Sequence, residues 1–148
     1  MDRLYNNEAL IGYVVLLLLK VSDMDITRLA IVVPLLVNDK IRNRLSKYKE
    51  NSLLENVQHC YASLTLNRIY REMLIIEINS LVMLSQADLI FIKKSKISLT
   101  EKGGEVIRNI RQVNSNRLKG ILIAQNLILN SVNKMSTEQL YKALNIQL

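Results

Sequence analysis

The alternation of apolar and polar positions divides most of this chain into helices. From Glu8 to about Val21, Leu10, Val14, Leu17 and Leu18 fall on one side of a helix and Tyr13, Leu16 and Lys20 on another, with Asn6 or Asn7 as N-cap. Nearly every face of that helix is apolar, so it must be central or lie at a subunit contact. After a turn at 22–25, with Asp25 or Thr27 as N-cap, a second apolar helix runs through Val37. Pro34 lies well inside it, where the ring removes one backbone hydrogen bond and kinks the axis. A third helix is predicted over 50–65 on a stripe of Leu53, Leu54, Val57, Cys60 and Tyr61. Next comes the longest period: Leu66, Ile69, Tyr70, Met73, Leu74, Ile76, Leu81 and Leu84 recur at helical spacing behind Thr65. Arg68, Glu72, Asn79 and Gln86 share one narrow polar strip, so this helix is expected to be mostly buried. Two short strands follow, at 89–92 and 96–99, joined across Lys93, Lys94 and Ser95. Thr100 then supplies an N-cap, with Glu101 and Glu105 in the first turn, where the helix dipole favours acids. The helical pattern continues to about Leu129, interrupted at 114–116 or at Gly120. Ser136-Thr137-Glu138-Gln139 has the capping-box spacing for a last helix ending near Asn145.

Helix, hairpin and capped helix in this order resemble the back half of a winged helix. The strings Leu-Ser-Gln-Ala-Asp-Leu-Ile at 84–90 and Ile-Ser-Leu-Thr-Glu-Lys-Gly at 97–103 carry that resemblance. The expected fold is mainly α (α+β): a winged-helix-like helical domain with one small antiparallel β-hairpin and additional helices at both ends. A chain of 148 residues is one domain by length and buries about 70% of its unfolded surface. One proline and four glycines leave few breaks in a helical pattern.

Charge narrows the partners. A net charge of +7 and a pI near 9.6 draw the chain towards phosphate backbones, acidic proteins or anionic membrane. Between Lys40 and Lys49 five cations (Lys40, Arg42, Arg44, Lys47 and Lys49) fall within ten residues, with no acid among them. They suit either a solvated helix end or an anionic partner. Lys93, Lys94 and Lys96 at the hairpin tip pose the same choice, because wings often touch phosphates. The apolar runs at 9–19 and 29–37 are too short to span a bilayer, and the first lacks the flanks of a signal peptide.

Catalytic constellations are not evident. The single histidine, His59, neighbours the single cysteine, Cys60, and adjacent helical residues point about 100° apart, which argues against both a metal pair and a nucleophile with its base. The thirteen acids are scattered among basic neighbours, and Gly103-Gly104 is no phosphate loop. One cysteine forms no internal disulfide and suits a reducing compartment. A non-enzymatic chain without cofactor or metal is the expectation. Base reading in the major groove would need exposed Arg, Asn or Gln on the helix ahead of the wing, which offers few.

The segment from Leu29 to Leu45, an apolar helix carrying Pro34 that runs into the Lys-x-x-Arg-like Lys40-Ile41-Arg42-Asn43-Arg44, resembles the middle components of bacterial three-component ABC systems. Tyr5-Asn6-Asn7-Glu8-Ala9, Ser52-Leu53-Leu54 and the helix from Asn79 to Ile90 match further landmarks, so the resemblance spans about 4–100. Asn38-Asp39 stands where that family has His before the lysine, and Ile41 where Pro is common. The resemblance implies a cytoplasmic adaptor subunit beside an ABC ATPase of the SMC or Rad50 type and an effector nuclease, as in Lamassu-type anti-phage defence. DNA would be met through basic surface, independently of sequence. Tyr13, Leu16, Leu17, Leu18, Val33 and Pro34 are then the expected partner contacts, and the cations of 40–49 with the three hairpin lysines the expected nucleic-acid or acidic-partner contacts. The competing classes are a stand-alone winged-helix transcription regulator and an antitoxin-like neutraliser of a toxic neighbour.

Overall fold

The computed structural model describes residues 2–45, 47, 63–109 and 116–147. Their elements run α1 (Asp2–Val21), β1 (Met24–Asp25), α2 (Ile26–Val37), α3 (Asp39–Leu45), α4 (Ser63–Gln86), β2 (Ile90–Lys93), β3 (Lys96–Leu99), α5 (Glu101–Asn109), α6 (Asn116–Val132) and α7 (Thr137–Ala143). The architecture is mainly α, with one small three-stranded antiparallel sheet in the order β1-β3-β2. The third helix expected over 50–65, including His59 and Cys60, falls for the most part outside the described residues. α4 is already helical at Ser63, so Thr65 does not cap it.

α2 is the axis of the core. Every residue from Leu29 to Val37 is buried, Pro34 included, and the helix packs against α1, α4, α3, α6 and α7. Such enclosure satisfies a helix that is apolar on all sides. α1 is enclosed next, by α2, α4, α5 and β3, so that Ile11, Val14, Val15, Leu16, Leu18 and Leu19 are all buried. Enclosure corrects the expectation of a partner-facing surface for α2 and for most of α1, where Leu16 and Leu18 are covered by the chain's own elements, while Tyr13 and Leu17 stay half-buried and Val21 is exposed.

The sheet holds a strand that the sequence pattern reads as a turn. Met24 pairs with Ile97 and Asp25 with Lys96, and the Ile26 amide donates to the Ser95 carbonyl at 2.9 Å. The hairpin aligns Ile90 with Leu99, Phe91 with Ser98, Ile92 with Ile97 and Lys93 with Lys96. Lys94 takes a positive φ of 57° in the two-residue turn. Three strands against helices make a stable unit where a lone hairpin would be marginal.

Short-range signals fix the ends of several elements. α4 closes in a Schellman motif: the Asp88 amide donates to Ser85 O at 3.0 Å and the Leu89 amide to Leu84 O at 2.9 Å, with Asp88 at φ 58°. Thr100 caps α5, accepting from the Gly103 amide at 2.9 Å and donating to the Asp88 carbonyl at 2.6 Å. A Cβ on Gly103 would stand 2.0 Å from the Leu89 carbonyl oxygen, so only glycine lets α5 lie this close to the root of the hairpin. Ser136 and Gln139 form the predicted capping box on α7. Arg28 of α2 holds the turn before α7, donating to the carbonyls of Val132 and Met135, both at 2.7 Å.

Candidate docking face and its cationic margins

α4 stands directly ahead of the hairpin, and its inner side packs on α1 and α2. Leu66, Tyr70, Glu77, Ser80 and Leu81 are buried on that side. The Ser80 hydroxyl donates to the Glu8 carbonyl of α1 at 3.0 Å. The Tyr70 and Tyr141 hydroxyls are 3.2 Å apart, with the rings edge-on at 83°, and the Tyr141 hydroxyl donates to the Thr27 carbonyl at 2.9 Å. Tyr141 thus ties α7 to both α4 and the start of α2. Burial and the hydrogen bond to Tyr70 push its phenol above the usual range.

Glu77 is the one carboxyl on this inner side. Its Oε2 is buried with no hydrogen-bond partner, and burial alone pushes its pKa up to about 8. It is therefore mainly protonated at neutral pH. Sequence reasoning passed over Glu77, although its place seven residues after Tyr70 puts it on the buried face.

The outward side of α4 is not polar. Ile75 is 67% exposed, Ile78 48% and Val82 49%, with Met83 beside them. The polar strip of Arg68, Glu72, Asn79 and Gln86 borders this stripe, and Arg71 stands one turn before Ile75. The expectation of a mostly buried helix is corrected here: α4 lies at the outside of the α1-α2 core, which covers only one of its sides. On the hairpin, Phe91 and Ile92 are also exposed.

The predicted cations separate into three environments. Lys93, Lys94 and Lys96 are exposed at the hairpin, lining with Phe91, Ser95 and Ser98 a recess of about 330 Å³. Lys40 and Arg44 are exposed on α3 and share a groove of about 880 Å³ with Arg68 of α4 and Arg117 of α6. Asp39 and Glu72 also line that groove, so four cations meet two acids. Lys47 is exposed, and Lys49 lies outside the described residues.

Arg42 belongs to neither recess. It is only 5% exposed, and its Nη1 donates to the Leu36 carbonyl at 2.8 Å while its Nη2 binds Asp39. From α6, Arg117 reaches the same Asp39 at 3.2 Å and the Val37 carbonyl at 3.3 Å. The two guanidiniums satisfy the last carbonyls of α2 and face the negative end of its dipole. Gly120 makes room, since a Cβ there would stand 3.3 Å from Arg42 Nε. The phosphate contact expected of Arg42 is thus replaced by an internal one. Asn38 and Asp39 also gain roles: Asn38 Oδ1 accepts from the Ile41 amide at 3.1 Å, opening α3, and Asp39 joins the two arginines.

Of the expected partner contacts, Leu16, Leu18, Val33 and Pro34 are buried within the chain, whereas Tyr13 and Leu17 are half-buried. Tyr13 lines a shallow recess between α1 and α4, with Gly12, Leu84 and Met83 among its neighbours. Among the described residues, no helix is long and apolar enough to cross a membrane. Comparisons with protein-family models, with curated proteins and with solved structures return no match.

Proposed function

We propose that this chain is a non-enzymatic, cytoplasmic adaptor subunit that joins an ABC ATPase of the SMC or Rad50 type to an effector nuclease in a three-component anti-phage system. The observation that carries the adaptor role is the outward side of α4, where Ile75, Ile78 and Val82 stand exposed. A base-reading helix needs Arg, Asn or Gln there to meet donors and acceptors in the major groove. Exposed Ile and Val side chains gain instead from burial against protein. The identity of the partners rests on the resemblance of 4–100 to the middle components of such systems.

DNA is met only through phosphates in this reading, by Lys93, Lys94 and Lys96 on the hairpin and by the cations around the α3-α4-α6 groove. Binding by the isolated chain is then weak, steeply salt-dependent and indifferent to sequence.

The deciding experiment is purification of the tagged chain from its complete native locus at high salt, with mass spectrometry of what accompanies it. An SMC-like ATPase in the eluate is the expected result. A lone homodimer that binds one short duplex tightly and sequence-selectively would overturn the adaptor and leave a transcription regulator.

A further inference from the structure

The exposed stripe on α4 has a finer order than exposure alone reveals. Arg68, Arg71, Ile75, Ile78, Val82 and Ser85 follow one another at steps of three, four, three, four and three. That is a heptad seam, with Arg68, Ile75 and Val82 in one register position and Arg71, Ile78 and Ser85 in the other. All six are exposed, over roughly 26 Å of helix. The flanking positions on the solvent side, Glu72, Asn79 and Gln86, are polar, as beside a helix-pairing seam.

Charge decides what fits the seam. Its first two positions are arginines. The acid beside them, Glu72, lies 3.8 Å from Arg68 with both side chains about 70% exposed, so two arginines and one glutamate leave this end of the seam net positive. The far end carries Val82, Met83, Ser85 and Gln86, with one exposed acid, Asp88, just past the helix. A second copy of this chain fits poorly: parallel pairing sets arginine against arginine, and antiparallel pairing offers the two arginines Ser85, Gln86 and the single acid Asp88. The net charge of +7 on each copy opposes both arrangements.

We infer that α4 takes a helix of a different protein along this seam, one with apolar residues at heptad spacing against Ile75, Ile78 and Val82 and with acidic residues at the end that meets Arg68 and Arg71. This rests on the adaptor reading only in that the partner is a protein, and it names the chemistry of that partner.

Two labelled 21-residue peptides test it on the full chain. Both carry apolar heptads, and one ends in glutamates where the other ends in lysines. At low salt the glutamate peptide binds at least tenfold more tightly, a difference of about 1.4 kcal/mol. Ile78→Asp weakens it at least tenfold, and the double charge reversal Arg68→Glu with Arg71→Glu inverts the preference. Equal binding of the two peptides, or binding that survives Ile78→Asp, would overturn the inference. So would a homodimer in sedimentation that Ile78→Asp dissociates. Failure of the wider reading looks different: no ATPase accompanies even the unaltered chain, whereas an ATPase that is retained equally by Ile78→Asp removes the seam alone.

Discussion

α2 and α4 are both rich in Ile, Val and Leu, yet they lead opposite lives. From Leu29 to Val37 α2 shows no side chain to solvent, while α4 hides Leu66, Tyr70 and Leu81 and leaves Ile75, Ile78 and Val82 in the open. The difference comes from both composition and position in the layers: α2 carries a single charged residue, Arg28, whereas α4 carries Arg68, Arg71, Glu72 and Glu77. α2 has helices on all sides, whereas α4 has the core on one side only. An apolar residue in α2 is explained by folding, and an equally apolar residue on the outer side of α4 is not.

Charge insertion breaks the comparison most sharply. Val33 is fully buried, and Val33→Asp would strand an unpaired carboxylate in the core at a cost of about 5 kcal/mol or more. That approaches the whole stability of a domain this size, so the variant should show no cooperative thermal transition by circular dichroism. A normal melt would mean that α2 is not central.

The inner side of α4 provides its own test. The Glu77 pKa is raised from 4.5 to about 8, so the folded chain holds a proton that the unfolded chain releases. The sign follows: the stability that Glu77 contributes is fully present below pH 4.5, falls as pH rises through the window to about 8, and is lost above it. A shift of that size corresponds to a loss on the order of 4 kcal/mol across the window. Glu77→Gln, neutral at every pH, should match the parent near pH 4 and exceed it increasingly towards pH 9 in urea titrations. Parallel pH profiles would show that Glu77 finds a partner on ionisation.

Arg42 and Lys40, two residues apart, distinguish buried from exposed charge at the end of α2. Arg42→Ala leaves the Leu36 carbonyl without its donor and should cost about 2–3 kcal/mol. Lys40→Ala, at an exposed position, should stay within about 0.5 kcal/mol. Equal effects in urea denaturation would remove Arg42 from its capping role.

Where local chemistry decides structure, the sequence was a good guide. The Thr100 cap, the Ser136–Gln139 box and the hairpin each depend on residues within a few positions of one another, and each is present. β1 was missed because two residues carry no period, and only their pairing with Ile97 and Lys96 makes them a strand. The direction in which α1 and α2 bury their surfaces was illegible for the opposite reason: helices apolar all round point nowhere. Arg42 looked like part of a cationic run because its partner carbonyl at Leu36 comes within reach only through the break at Asn38. The seam on α4 was hidden by the helix's own apolar count, which signals burial without saying on how many sides.

The smallest predicted effect is the most informative about the outer side of α4. Ile78→Asp replaces a side chain that is 48% exposed, so its effect on stability should stay within about 0.5 kcal/mol. For a chain of this length that corresponds to a change in Tm of roughly 2 °C or less. Set beside Val33→Asp, the same chemical insult would then differ about tenfold in free energy between a buried and an exposed apolar position. A larger loss at Ile78 would mean that the chain itself covers this side chain in solution, and the seam would then be part of its core. A melt close to that of the parent leaves Ile78 free of any structural role, so that loss of a partner in the same variant can be assigned to the surface alone.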